Sequence, residues 1–141
     1  MTCARILVAA VAVLAGATNA PAASALVDGV YVAFASAMAK RLPLVVDAAS
    51  TITDVRYAKA VGLSRPAAVE YDVIRSDLAS ASADADALIA TFASDLRAHY
   101  CRDSNFQPAR NDKVGIVLNV HASDGTLAAV AAIGPRDCSV R

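Results

Sequence analysis

Apolar and polar residues alternate most clearly between Ala67 and Arg75, where Val69, Tyr71 and Val73 interleave with Glu70 and Asp72. A period of two puts the first set on one face of a strand and the second on the other. Thr51 to Ala60 alternates similarly, with Thr53, Val55, Tyr57 and Lys59 set against Asp54, Arg56 and Ala58. Between them, Val61 to Pro66 carries Gly62 and Pro66 and reads as a turn, so an antiparallel hairpin is the simplest pairing. A second strand pair follows near the C-terminus. Val114, Ile116, Leu118 and Val120 alternate with Gly115, Val117, Asn119 and His121; Ser123-Asp124-Gly125 marks a tight turn, and Thr126 to Ile133 returns as the partner strand. Leu42 to Ser50 is apolar and then turn-like. Pro43 has no N–H to give a ladder, so this stretch is an edge segment at best.

The period changes between the two strand pairs. From Ser82 to Cys101, Leu88, Ile89, Phe92 and Leu96 fall on one stripe of a helix. Ser82 or Asp84 can cap its start, and Asp84 and Asp86 put negative charge at the positive end of the dipole. Arg97, His99 and Arg102 put positive charge at the other end. A second helical pattern runs from Leu26 to Arg41, with Val27, Val30, Tyr31, Phe34 and Met38 on one side and Pro43 beyond its end. That stripe has two readings: it packs against the domain, or it stays exposed and touches a membrane or a partner. Arg102 to Asp112 is polar, contains Pro108, and reads as a loop with one helical turn around Phe106. The expected fold is therefore α+β: a small four-stranded, mainly antiparallel sheet in the order β-β-α-β-β, one long helix on a face, and an N-terminal helix.

The start of the chain changes where that domain belongs. Arg5 precedes an uncharged run, Ile6 to Ala17, which has the length of a signal-peptide core and is short for a bilayer span. Ala20-Pro21-Ala22 and Ala23-Ser24-Ala25 both fit a small-x-small cleavage site, the second preferred. The expected organisation is a signal peptide over 1–25, an amphipathic helix over 26–41 and one α+β domain over 42–141. Cleavage removes Cys3 and leaves Cys101 and Cys138. In an oxidising compartment such a pair most simply forms a disulfide. A metal site would need more ligands than two cysteines supply, and a redox pair would call for Cys-x-x-Cys.

Composition narrows the function. Thirteen basic and thirteen acidic residues leave a net charge of zero, which speaks against a nucleic-acid partner. No Gly-rich phosphate loop, Gly-x-Ser-x-Gly, His-Glu-x-x-His or calcium loop is present, so no catalytic, cofactor or metal residue is assigned. Among polar residues, His99 suits a helix C-terminus, and His121 lies at a strand end on the outward face. Asp84 and Asp86, two apart on a helix, do not face each other. Glu70 and Asp72 share a strand face, and Tyr57 and Tyr71 could meet across the first hairpin.

Leu42-Pro43-x-x-Val46-Asp47, followed by Thr51 or Thr53 and Asp54-x-x-Tyr57, together with Asp124-Gly125 and the closing Asp137-Cys138, resembles a group of short exported proteobacterial proteins of uncharacterised function. The resemblance covers most of the mature chain after Leu42. It implies an envelope or secreted location and a Cys101–Cys138 bridge, and it brings no catalytic residues. The leading expectation is a non-enzymatic periplasmic or secreted module that binds an unknown protein or envelope component. Two alternatives stand beside it: a small secreted hydrolase using His121 with a carboxylate such as Asp124, and a membrane-associated protein acting through residues 26–41.

Overall fold

The computed structural model describes residues 24–80 and 83–139. Helix α1 (Ser24–Ala39) leads into strands β1 (Leu44–Val45), β2 (Ser50–Ala58) and β3 (Ala68–Arg75). Helix α2 (Ala83–Arg102), a 3-10 turn (Ser104–Phe106) and the short helix α3 (Gln107–Asn111) follow. Strands β4 (Gly115–Ala122) and β5 (Leu127–Ile133) and a 3-10 turn (Pro135–Cys138) close the domain. The expected signal segment falls outside the described residues except for Ser24 and Ala25, which open α1. Of the two candidate caps of α2, Ser82 lies outside them, as does the side chain of Asp84.

The class is α+β, but the sheet differs from the expected four antiparallel strands. It has five, in the order β1-β2-β3-β4-β5, and it is mixed. The additional strand, β1, pairs Leu44 with Ile52 and Val45 with Thr51. Two residues are too few to show alternation. The β1–β2, β2–β3 and β4–β5 pairs are antiparallel, whereas β3 and β4 run parallel, from Ala68 opposite Gly115 to Arg75 opposite Ala122. The reason is α2. Twenty helical residues span about 30 Å, roughly the length of the eight-residue β3. The helix returns the chain to the level where β3 began, so β4 sets out in the same direction.

The register of β2 shifts between Ile52 and Asp54. A bulge of this kind lets one strand bury residues three apart. Ile52 and Val55 are both buried while Thr53 is exposed, which corrects the strict alternation expected for this strand. Helix α1 lies on β2 and α2 on β5, so two helices share the cover expected of one. Val27, Tyr31, Phe34 and Met38 are all in the core. The stripe on α1 is thus a packing stripe, and the reading in which those residues stay exposed for a membrane or a partner is overturned. Large rings are among the most deeply buried side chains, Tyr71, Tyr100 and Phe106 foremost.

The segment after α2 is more ordered than the loop expected there. Asp103 accepts from the backbone N–H of Asn105, and Phe106 is fully buried. The guanidinium of Arg110 donates to the carbonyls of Tyr100 and Asp103, satisfying acceptors that a helix end leaves unpaired. The tail is fastened to the same helix. Cys101 and Cys138 are joined, S–S 2.07 Å, and Arg97 Nη2 donates to the Asp137 carbonyl at 2.7 Å. Linking residues 37 apart stabilises a fold by about 4 kcal/mol on the chain-entropy account.

Candidate functional site

Helices α1 and α2 pack on one face of the sheet, and among the described residues no helix packs on the other. The strand register sorts the residues of that other face into rows. Arg56, Glu70, Val117 and Ala132 form one; Asp54, Asp72, Asn119 and Val130 form the next; Thr51, Ile74, His121 and Leu127 form a third. The face is acidic toward β2 and β3 and apolar along β5, where Leu127 and Val130 are each about half exposed.

Arg56 organises the acidic part. Its Nε donates to Glu70 Oε2 at 2.7 Å, and its Nη1 donates to Asp54 Oδ2 at 2.8 Å and Asp72 Oδ2 at 3.0 Å. Asn119 Nδ2 donates to Asp72 Oδ1 at 2.8 Å, and His121 Nε2 lies 3.8 Å from the same oxygen. Burial pushes the Asp72 carboxyl up, but hydrogen bonds from Arg56 and Asn119 and the charges of Arg56 and His121 outweigh it. The net result holds Asp72 below its ordinary value. Arg56 is held above its own, chiefly by its bond to Asp72. One guanidinium serving three carboxylates leaves the cluster with an excess of negative charge.

At the Gly115 end of the sheet this face runs into an open cleft of about 1420 Å³, bounded by the β2–β3 connection, the Asn111–Lys113 turn and the tail from Gly134. Gly115 belongs there for a steric reason. A Cβ at that position would stand 2.6 Å from the Ile133 carbonyl, so only glycine lets β4 and β5 meet at the cleft floor. Tyr57 and Tyr31 stack at 5.5 Å beside it, their hydroxyls donating to Asp28 Oδ1 at 2.6 Å and Asp112 Oδ2 at 2.9 Å.

The residues singled out from sequence meet different fates. Glu70 and Asp72 do share the uncovered face, joined through Arg56. Tyr57 and Tyr71 do not meet: Tyr57 opposes Val69 and stacks on α1, while Tyr71 opposes Val55 in the core. His121 and Asp124 are not joined by a hydrogen bond. Asp124 accepts instead from Thr126 N and Oγ1 within its turn, and the carboxylate beside His121 is Asp72. His99 is half-buried in the last turn of α2, and Asp86 is exposed. Among the described residues no group of three or more His, Cys, Asp or Glu side chains could hold a metal, and no helix is long and apolar enough to cross a membrane. Sequence reasoning passed over Arg56 and Asn119. The hairpin reading held a signal for Arg56, because it already set that residue on the same side of β2 as Asp54. Asn119 needed the parallel β3–β4 register, which opposes it to Asp72.

These features define a class of architecture: a two-layer α+β domain with one sheet face covered by helices and one left bare. No protein-family model and no curated protein matches the sequence. Two solved structures share the fold. The pilotin EpsS of the Vibrio vulnificus type 2 secretion system aligns over 81% of this chain and 93% of its own, with a TM-score of 0.59 and 16% identity. The type II secretion system pilotin AspS of Vibrio cholerae aligns over 79% of this chain and 91% of its own, with a TM-score of 0.51 and 16% identity. At this identity the likeness is one of fold.

Proposed function

We propose that this chain is a non-enzymatic binding module of the bacterial cell envelope, similar in role to a pilotin, that holds a protein of a secretion complex on its bare sheet face. The observation that carries the reading is the combination of a pilotin fold over most of the chain with a sheet face that no helix among the described residues covers. A solvated antiparallel sheet face is ordinarily polar throughout. Here the β5 side carries Leu127, Val130 and Ala132 instead, apolar area that a partner would remove from water. Export to the periplasmic side, with loss of the segment up to Ala25, belongs to the same reading. The Cys101–Cys138 bridge suits an oxidising compartment, and so does the resemblance to short exported proteobacterial proteins.

Position-specific photo-cross-linking tests this. A photoreactive residue at Val130, in the protein exported by its own bacterium, should give a discrete adduct with a component of a secretion complex. The same residue at Ser36, exposed on α1, should not. Absence of an adduct at Val130, or equal labelling at both positions, would overturn the proposal.

A further inference from the structure

The apolar stripe of α1, for which a membrane contact was the alternative to packing, is buried, yet the chain does expose large apolar side chains elsewhere. Leu63 is the extreme case, with 94% of its surface in solvent, and Val61, two residues before it, has 55%. Both stand in the β2–β3 connection. That connection is not a loose loop that fails to fold its leucine inward. Val61 N–H donates to the Arg65 carbonyl at 2.8 Å and Arg65 N–H donates to the Val61 carbonyl at 3.2 Å. Ser64 Oγ donates to the Val61 carbonyl at 3.1 Å, and Gly62 takes a φ of 55° that closes the tip. A hydrogen-bonded tip thus holds Leu63 away from the domain. From Ala58 to Val69 the segment carries Lys59 and Arg65 and no carboxylate. Neither cation forms a salt bridge among the described residues.

The position of this tip adds a second, independent argument. The N-terminus of α1 lies at the same end of the molecule: Asp28 accepts from the Tyr57 hydroxyl near the end of β2, and Val27 and Asp28 line the same cleft as Leu63 and Arg65. Leu26, beside them, is 59% exposed. Upstream, the apolar run Ile6 to Ala17 is separated from Ser24 by residues 18–23. Fully extended, that spacer reaches about 20 Å. A bilayer that received the apolar run during export would therefore lie within about 20 Å of the end of the molecule that carries Leu63.

We infer that the Lys59–Pro66 tip is a membrane-docking element, with Leu63 and Val61 entering an anionic lipid surface and Lys59 and Arg65 set among its headgroups. Two cations with no carboxylate between them match an anionic interface, and the two aliphatic side chains match its acyl boundary. After loss of the N-terminal segment this contact still holds the cleft end toward the membrane.

The chain contains no tryptophan, so Leu63→Trp creates a single, selectively excitable tryptophan at the tip, at a site too exposed to be needed for folding. With phosphatidylglycerol-containing vesicles its emission should move to the blue and become shielded from iodide, with a weaker response to pure phosphatidylcholine. A tryptophan at Ser36 should respond to neither. Leu63→Ser should lower the vesicle partition constant roughly tenfold, the ratio expected for losing one buried leucine. Lys59→Glu with Arg65→Glu should abolish the preference for anionic lipid. A tip tryptophan that stays quenchable while the protein sediments with vesicles would overturn the inference. So would a blue shift that appears only with solubilised envelope protein. Cross-linking from Val130 reads the proposed protein partner separately, so either idea can fail alone.

Discussion

The two faces of the sheet are built from the same strands, one residue out of step, and they solve opposite problems. On the covered face Val69, Tyr71, Val73, Ile116, Leu118 and Val120 are all buried under α1 and α2. Their contribution is non-directional and scales with the area removed from water. On the bare face the neighbouring residues Glu70, Asp72, Asn119 and His121 remain in reach of water; Arg56 ties Glu70 to Asp72, and Asp72 in turn meets Asn119 and His121. Ion pairs of this exposure are each worth little. Stability therefore resides on one face, and the other is free to be shaped by what it meets.

The sharpest way to break the contrast is to truncate two consecutive residues of β4. Leu118 is 4% exposed in the core, and Val117 lies half-buried on the bare face. Leu118→Ala should cost about 3 kcal/mol, since it removes buried methyl groups and leaves a cavity between the helices. Val117→Ala should cost under about 1 kcal/mol. Urea unfolding of both variants measures the difference. Equal losses would mean that the bare face is covered in solution.

Much of this contrast is legible in the sequence, because alternation reports faces directly. Val69, Tyr71 and Val73 against Glu70 and Asp72 divide as expected, as do Ile116, Leu118 and Val120 against Val117, Asn119 and His121. Helix α2 is equally plain, since its stripe and its terminal charges agree. Strand direction is another matter. Side-chain period is the same for parallel and antiparallel strands, so the direction of the β3–β4 pair follows only once the strand order makes the two neighbours across α2. Strand β1 is too short to carry a period, and the bulge at Ile52 hides within an alternation that looks regular. The Arg56 cluster draws on β2, β3 and β4 at once, and such non-local sets follow only from register. The Lys59–Pro66 tip reads as a turn. That its leucine points into solvent is a property of the packed molecule.

A smaller effect sharpens the picture of the bare face through pH. The Asp72 carboxyl lies below its ordinary value in the fold. A carboxyl of this kind adds stability that is present above its unfolded value, about 3.9, and is lost as pH falls through the folded value. The unfolded chain takes up that proton first, so acid favours unfolding. Asp72→Asn should therefore melt slightly below the parent protein at neutral pH, by the equivalent of about 1 kcal/mol or less for so accessible a cluster. The gap should close in the acid range, below about pH 4. Melting curves taken across pH test it, and a gap that persists in acid would assign the loss to packing instead.

The smallest expected effect lies on the covered face and has the opposite sign. Tyr71 is wholly buried, and its hydroxyl has no hydrogen-bond partner among the described residues. Burial alone pushes its phenol above the ordinary value. Tyr100 is just as buried, but its hydroxyl donates to the Val114 carbonyl at 2.8 Å. The two tyrosines therefore separate packing from hydrogen bonding at constant burial. Tyr100→Phe removes a made bond and strands a carbonyl, and should cost about 1 kcal/mol. Tyr71→Phe removes only an unpaired group, so stability should stay level or rise by up to about 1 kcal/mol. Urea unfolding resolves the two directions. A loss at Tyr71→Phe as large as that at Tyr100→Phe would mean that the hydroxyl is hydrogen-bonded in solution. The covered face would then carry a polar tie of its own, and the division between an apolar face and a polar one would be less complete than the register implies.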